Sequence, residues 1–199
     1  MSKTPDNSPA NPSARHLTGV APRSLALLTR GNPMLARRSD PVTDILSKEF
    51  QGFLDDLILS GEENMGVGIA APQVGKNLRA FILAPKPSKR YPQAPSMDPT
   101  PIVNPVILGS FGPMEKDWEG CLSVPGFRGQ VPRSHGVQVR FLDRSGTAHE
   151  LTLKGFIARV FQHEFDHLEG ILYPERMEKE ERLLDLDEFF AETGIRVPR

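Results

Sequence analysis

Apolar residues recur at helical spacing through Ile45, Leu46, Phe50, Phe53, Leu54, Leu57 and Ile58, and this periodicity predicts a helix over residues 41–59. Asp40 and Pro41 offer an N-cap and a first-turn proline, with Gly61 placed to stop the helix. Short apolar runs at 78–84 and 102–108, bounded by turn formers, and the alternating segment 137–142 predict strands. Asp143-Arg144-Ser145-Gly146 reads as a hairpin turn that returns through Leu151 and Leu153. A second helix is expected over 156–168, between Gly155 and Gly170, and a third over 176–192, docked by Leu183, Leu184, Leu186, Phe189 and Phe190. Mixed, mostly antiparallel strands with segregated helices define an α+β fold around a central helix, with an N-terminal and a C-terminal helix.

Two stretches lack any such period. Residues 1–22 carry Pro5, Pro9, Pro12 and Pro22 among serines and asparagines and read as a disordered leader. A transit peptide is the rival reading there, since Lys3, Arg15 and Arg23 outnumber Asp6. Between 85 and 101 six prolines rule out a regular element and leave an exposed loop. Residues 23–199 are then expected to form one domain, consistent with 199 residues at 38% hydrophobic content.

A net charge of −1 argues against wholesale binding of nucleic acid or an anionic surface. No apolar run is long enough to span a bilayer, and the single cysteine, Cys121, rules out an internal disulfide and suits a reducing compartment. The expected location is the cytoplasm, with no membrane partner.

The chemistry is concentrated in the second predicted helix. Four residues is a rotation of about 40°, so His163 and His167 face one way, one turn apart, where both imidazoles reach one ion. Glu164, displaced by roughly 60° from His167, suits a proton shuttle better than a third ligand. These groups lie on the face the apolar pattern would bury, where polar side chains need partners, and a metal ion with its water satisfies all three. Glu119-Gly120-Cys121-Leu122-Ser123 is the natural source of a third ligand, because it holds the lone thiol. A thiolate with two imidazoles leaves a fourth place for water, the count of a catalytic zinc-type site. Gly66-Val67-Gly68-Ile69-Ala70-Ala71-Pro72-Gln73 lacks the features of a phosphate cradle; it offers a backbone edge for a peptide and the Gln73 amide as a donor.

Together, the three segments resemble the motifs of the peptide deformylases, G-x-G-x-A-A-x-Q, E-G-C-L-S and H-E-x-D-H, in that order and without departure. The likeness runs from about Gly31 to Pro174, while the 85–101 loop is longer than the family usually carries. The resemblance implies removal of the formyl group from the N-terminal formylmethionine of nascent polypeptides, with release of formate. It implies Cys121, His163 and His167 as ligands of one divalent ion, Fe2+ first, with Zn2+, Ni2+ or Co2+ also compatible with the donors. Glu164 is implied as general base and then acid, with Gln73 and the Leu122 backbone N–H as oxyanion donors. Gly68 and neighbouring backbone, Gly120 included, would hold the substrate main chain, and Val67, Leu122, Phe156 and Val160 would receive the methionine side chain. Arg133 is implied to pair with Glu119 in support of the cysteine loop, with Asp166 behind the ligands. The ribosome is a further partner by analogy, through the C-terminal helix. The rival readings are a zincin-like endopeptidase sharing only the helix motif and a nonenzymatic protein stapled by its ion.

Overall fold

The computed structural model describes residues 21–87, 91 and 94–195; the expected leader, apart from residues 21 and 22, lies outside them. Helix α1 (Lys48–Glu63) precedes strands β1 (Gly68–Ala70), β2 (Ala80–Leu83), β3 (Thr100–Cys121), β4 (Val124–Leu142) and β5 (Ala148–Lys154). Helix α2 (Gly155–Leu168), strand β6 (Leu184–Asp185) and helix α3 (Leu186–Thr193) follow. The sheet order is β1-β2-β3-β4-β5, with β6 on β4, and every ladder among these strands is antiparallel. One parallel bridge joins Asp40 to Leu78. The α+β class is as expected. Among the described residues no helix is long and apolar enough to cross a membrane.

Helix α2 packs Ala158, Val160, Phe161 and Leu168 against Phe81, Ile102, Val137, Val139 and Phe141 of the sheet. Helix α1 buries Phe50, Phe53, Leu54 and Leu57 against Ile69, Ile82 and Val103. Fully burying side chains of this size contributes about 1.5–3 kcal/mol each, so the two clusters fix how the central helix sits on the sheet.

The first helix begins later than its periodicity suggests. Asn104 accepts from Val42 N at 2.9 Å and donates to Val42 O at 2.8 Å, while Asp40 N and O bond Asn77 O and Arg79 N. The backbone at 40–42 is thus committed to partners distant in sequence, and Ser47 caps the helix instead by accepting from Phe50 N. Gly61 does not end α1: it is buried within the helix, where a Cβ would stand 3.0 Å from Ile69 Cγ2. The left-handed turn falls at Met65, φ 53°. The C-terminal helix is shorter than predicted, since only Leu186–Thr193 is helical, started by a reciprocal cap between Asp185 and Glu188. Upstream, Tyr173–Arg176 forms a 3-10 turn and Leu184 pairs with Arg128.

The β4–β5 turn forms where expected. The Asp143 carboxylate accepts from Ser145 N, Ser145 Oγ and Thr147 N at 2.8, 2.6 and 3.0 Å and lies 2.8 Å from His149 Nε2. Burial opposes ionisation of Asp143, but the Ser145 and His149 hydrogen bonds prevail and hold it below its ordinary value. Asp143→Asn should lower stability by about 2 kcal/mol at neutral pH, or about 4–8 °C in the unfolding midpoint for a chain of this size. A carboxylate depressed on folding stabilises above its unfolded pKa, and that contribution is lost as pH falls through the folded value. The gap between the two proteins should therefore close in acid, as thermal melts across pH will read.

Candidate metal centre

The cysteine segment is the tip of a long hairpin rather than an open loop. Strand β3 runs to Cys121, pairs back through Val124, and carries a register shift between Glu119 and Cys121 that re-aims the thiol. Cys121 is buried, with His167 Nε2 at 3.2 Å and the Gln73 Nε2 and Ser123 N donors each at 3.4 Å from its sulfur. On α2 the His163 and His167 rings stand 5.2 Å apart. One donor atom from each of Cys121, His163 and His167 lies within 4.8 Å of the other two.

The donor set fits a metal ion. Two ligands of a tetrahedral ion, sulfur at about 2.3 Å and nitrogen at about 2.0 Å, sit roughly 3.5 Å apart, close to the observed Cys121–His167 separation. His163 Nδ1 is engaged by Glu119 Oε2 at 2.8 Å, which leaves Nε2 for an ion. Burial works against a charged His163, yet its contacts with Cys121 and Glu119 raise its pKa well above the ordinary value. Burial depresses His167.

Glu164 stands beside the ligands. It is 4% exposed, and among the described residues its Oε2 has no hydrogen-bond partner. Burial pushes its pKa up to about 7, against the opposing influence of His163. Gly68 of β1 lies directly against it: a Cβ there would come within 2.5 Å of Glu164 Oε1, so only glycine lets the outer strand approach this closely. Gln73 Oε1 accepts from Ala70 N at 2.8 Å, which turns its amide nitrogen toward Ser123 Oγ, at 3.2 Å, and the Cys121 sulfur.

A cleft of about 320 Å³ opens over these groups. Val67, Gly68, Gly120, Leu122, Phe156 and Val160 all line it, together with Gln73, Cys121, His163 and Glu164. His167 lies behind, 1% exposed. Every site residue expected from the sequence is brought to this one place. Strand β1 is the outermost of the sheet, so its backbone edge faces the cleft, available to an extended peptide.

The supporting shell is larger than expected. Arg133 grips Glu119 with two bonds of 3.0 Å and Asp166 with one of 2.5 Å, with all three side chains 5–6% exposed, so these are not surface pairs. Arg159 adds a bond to Glu119 Oε1 at 2.9 Å, and Arg176 holds Asp166 at 2.7 Å. Neither arginine was anticipated. The same holds for Trp118, Arg128 and Phe189 in the cleft wall, whose places depend on packing between distant segments.

A buried thiol and two imidazoles with a carboxylate in reach, at the mouth of a peptide-sized cleft, define a metal-dependent hydrolase centre on an α+β scaffold. Residues 24–183 match the family described as polypeptide deformylase. The chain is 44% identical over 168 residues to peptide deformylase 2 of Nostoc sp., an alignment covering 84% of this chain and 94% of that protein. It superimposes with a TM-score of 0.76 and 42% identity on the Met-Ala-Ser-bound class I type b peptide deformylase of Acinetobacter baumannii, covering 77% of this chain and 98% of the other. A Synechococcus elongatus peptide deformylase in complex with actinonin matches at a TM-score of 0.71 and 30% identity, over 93% and 97%. The chain belongs to the polypeptide deformylase family. It is a metalloenzyme that removes the N-formyl group from an N-terminal methionine, and the endopeptidase and nonenzymatic readings fall away.

Proposed function

We propose that Cys121, His163 and His167 hold one Fe2+ ion and that Glu164 moves the protons of deformylation, acting on nascent formylmethionyl chains in the cytoplasm as they leave the ribosome. The observation that carries this reading is the buried, unpaired Glu164 oxygen beside the three-donor cluster. A divalent cation there supplies Lewis acidity, lowering the pKa of a water and polarising the formyl carbonyl.

The chain's own groups do the rest. The substrate backbone pairs along β1 at Gly68, and the methionine side chain enters the apolar space among Val67, Leu122, Phe156 and Val160. Glu164 takes a proton from the attacking water as the new C–O bond forms. Gln73 Nε2 and the Leu122 N–H donate to the oxyanion, an interaction whose loss in other enzymes costs about 2.7–4 kcal/mol per donor. Glu164 then protonates the departing nitrogen, the C–N bond breaks, and formate and the free amine leave. Zn2+, Ni2+ and Co2+ suit the same donors, since a thiolate with imidazoles does not select among them by affinity alone.

Protein purified without oxygen should contain one equivalent of iron by elemental analysis and release formate from formyl-Met-Ala-Ser while leaving the internal bonds of casein intact. Formate release with another resident metal would overturn the iron assignment alone. Casein cleavage without formate would overturn the reaction.

A further inference from the structure

The cysteine turn ends on a serine that has no part in the chemistry described so far. Ser123 is fully buried, and its Oγ lies 3.2 Å from Gln73 Nε2, across 50 residues of chain. The other end of that amide is fixed too, since Gln73 Oε1 accepts from Ala70 N at 2.8 Å. A backbone N–H can bond only to the carbonyl oxygen, so the amide cannot turn over. Its N–H donors therefore face Ser123 Oγ and the Cys121 sulfur, the latter at 3.4 Å. The backbones of the two residues are tied as well. Leu28 N donates to Gln73 O at 2.7 Å and Arg30 N to Ser123 O at 2.8 Å, so one segment holds both partners.

We propose that Ser123 is a positioning residue, whose hydroxyl holds the Gln73 amide at a set distance from the Leu122 N–H so that both donors meet the same oxyanion. This role rests on the reading of Gln73 and Leu122 as the oxyanion donors. Leu122 and Ser123 are neighbours in the turn between β3 and β4, whereas Gln73 belongs to the 3-10 turn Ala71–Val74. The bond from Gln73 to Ser123 therefore fixes the distant donor against the turn that carries the near one. It also divides the work of the amide. One proton stays on Ser123 Oγ and keeps the nitrogen in place, while the other, directed at sulfur in the resting protein, is the one that turns to the oxyanion. Donors already aimed need no reorganisation as charge develops, and that is the source of their strength. Without the hydroxyl a buried N–H is left unpaired, and the amide turns to recover a partner.

The test sets Ser123→Ala, Gln73→Met and the double variant beside the unmodified protein, all iron-loaded, on formyl-Met-Ala-Ser. Ser123→Ala should lower kcat by about three- to thirtyfold, a part of the roughly 10²- to 10³-fold lost when an oxyanion donor is removed outright. KM and iron content should keep their parental values. In the double variant the serine substitution should add nothing to the loss caused by Gln73→Met, because the hydroxyl acts only through that amide. A second readout is independent of turnover. In NMR spectra of the zinc-loaded protein, the Gln73 side-chain amide, assigned through its contact with the Ala70 N–H, should exchange its protons with water about tenfold faster in Ser123→Ala. The backbone amides of α2 should keep their protection, which separates a freed amide from a loosened fold. Parental kcat in Ser123→Ala, losses that multiply in the double variant, or a Gln73 amide that exchanges as in the parent would overturn the role. If Gln73→Met does not fold, kcat and amide exchange in Ser123→Ala decide alone. Parental kcat in Gln73→Met would instead overturn the oxyanion reading, and absence of formate from the unmodified protein the deformylase reading.

Discussion

Glu164→Gln should lower formate release by about 10²- to 10⁴-fold, the range that a positioned general acid–base contributes, while iron content stays at one per chain. The substitution keeps the shape of the side chain where it lies against Gly68, so the outer strand need not move. It leaves Cys121, His163 and His167 in place, and these are the donors that approach one another within 4.8 Å. What it removes is a group able to accept a proton from water and return it to the amine. The loss should fall on kcat, with KM for formyl-Met-Ala-Ser little changed, because the methionine pocket proposed above is built from other residues. Steady-state kinetics with elemental analysis on the same sample separates the roles: a variant that loses iron would make Glu164 a ligand or a prop, and one that keeps full turnover would leave the proton transfer to another group.

The residues of this site were readable because two of its three segments are local. His163, Glu164 and His167 share a helix whose period can be counted, and Gly66–Gln73 is a short punctuated run. Cys121 was readable for a different reason: as the lone thiol it had no rival. The route by which it reaches the histidines was not. Strands β3 and β4 between about 109 and 136 are broken by Gly109, Gly112, Pro113, Gly126 and Gly129, and register shifts interrupt their pairing, so no alternation survives to announce a hairpin. The false start at Asp40-Pro41 has the same origin, since Asn104 captures the Val42 backbone from 62 residues away. At the C-terminus the charged run 178–182 extended a helical pattern that the chain realises only from Leu186 onward. Local period and cap chemistry are written in short windows, whereas partners that come from afar enter only when the chain packs.

The most consequential of those distant partnerships is that of Arg133, and replacing it by methionine should cost about 3–5 kcal/mol of stability, the usual penalty for breaking a buried ion pair from one side. Arg133 reaches from β4 to Glu119 on β3 and to Asp166 on α2, while Arg159 and Arg176 complete the two carboxylates. Burial alone would raise the Glu119 pKa, but the hydrogen bond with His163 and the charge of Arg133 hold it well below the usual carboxylate range. The network therefore binds the cysteine hairpin to the metal helix, and through Glu119 Oε2 it sets the orientation of His163. Methionine fills similar volume but leaves Glu119 and Asp166, each 5–6% exposed, short of donors. The metal should suffer as well, with affinity lower by about 10- to 100-fold, as when the outer partner of a metal-binding histidine is lost elsewhere. Arg133→Lys keeps the charge without the planar fork that spans both oxygens of Glu119 and reaches Asp166, so it should recover less than half of the lost stability. Urea unfolding of the iron-loaded proteins, with a competing chelator to read affinity, measures both effects. A Met variant as stable and as tightly metallated as the parent would mean that the hairpin and the helix are held together by packing alone.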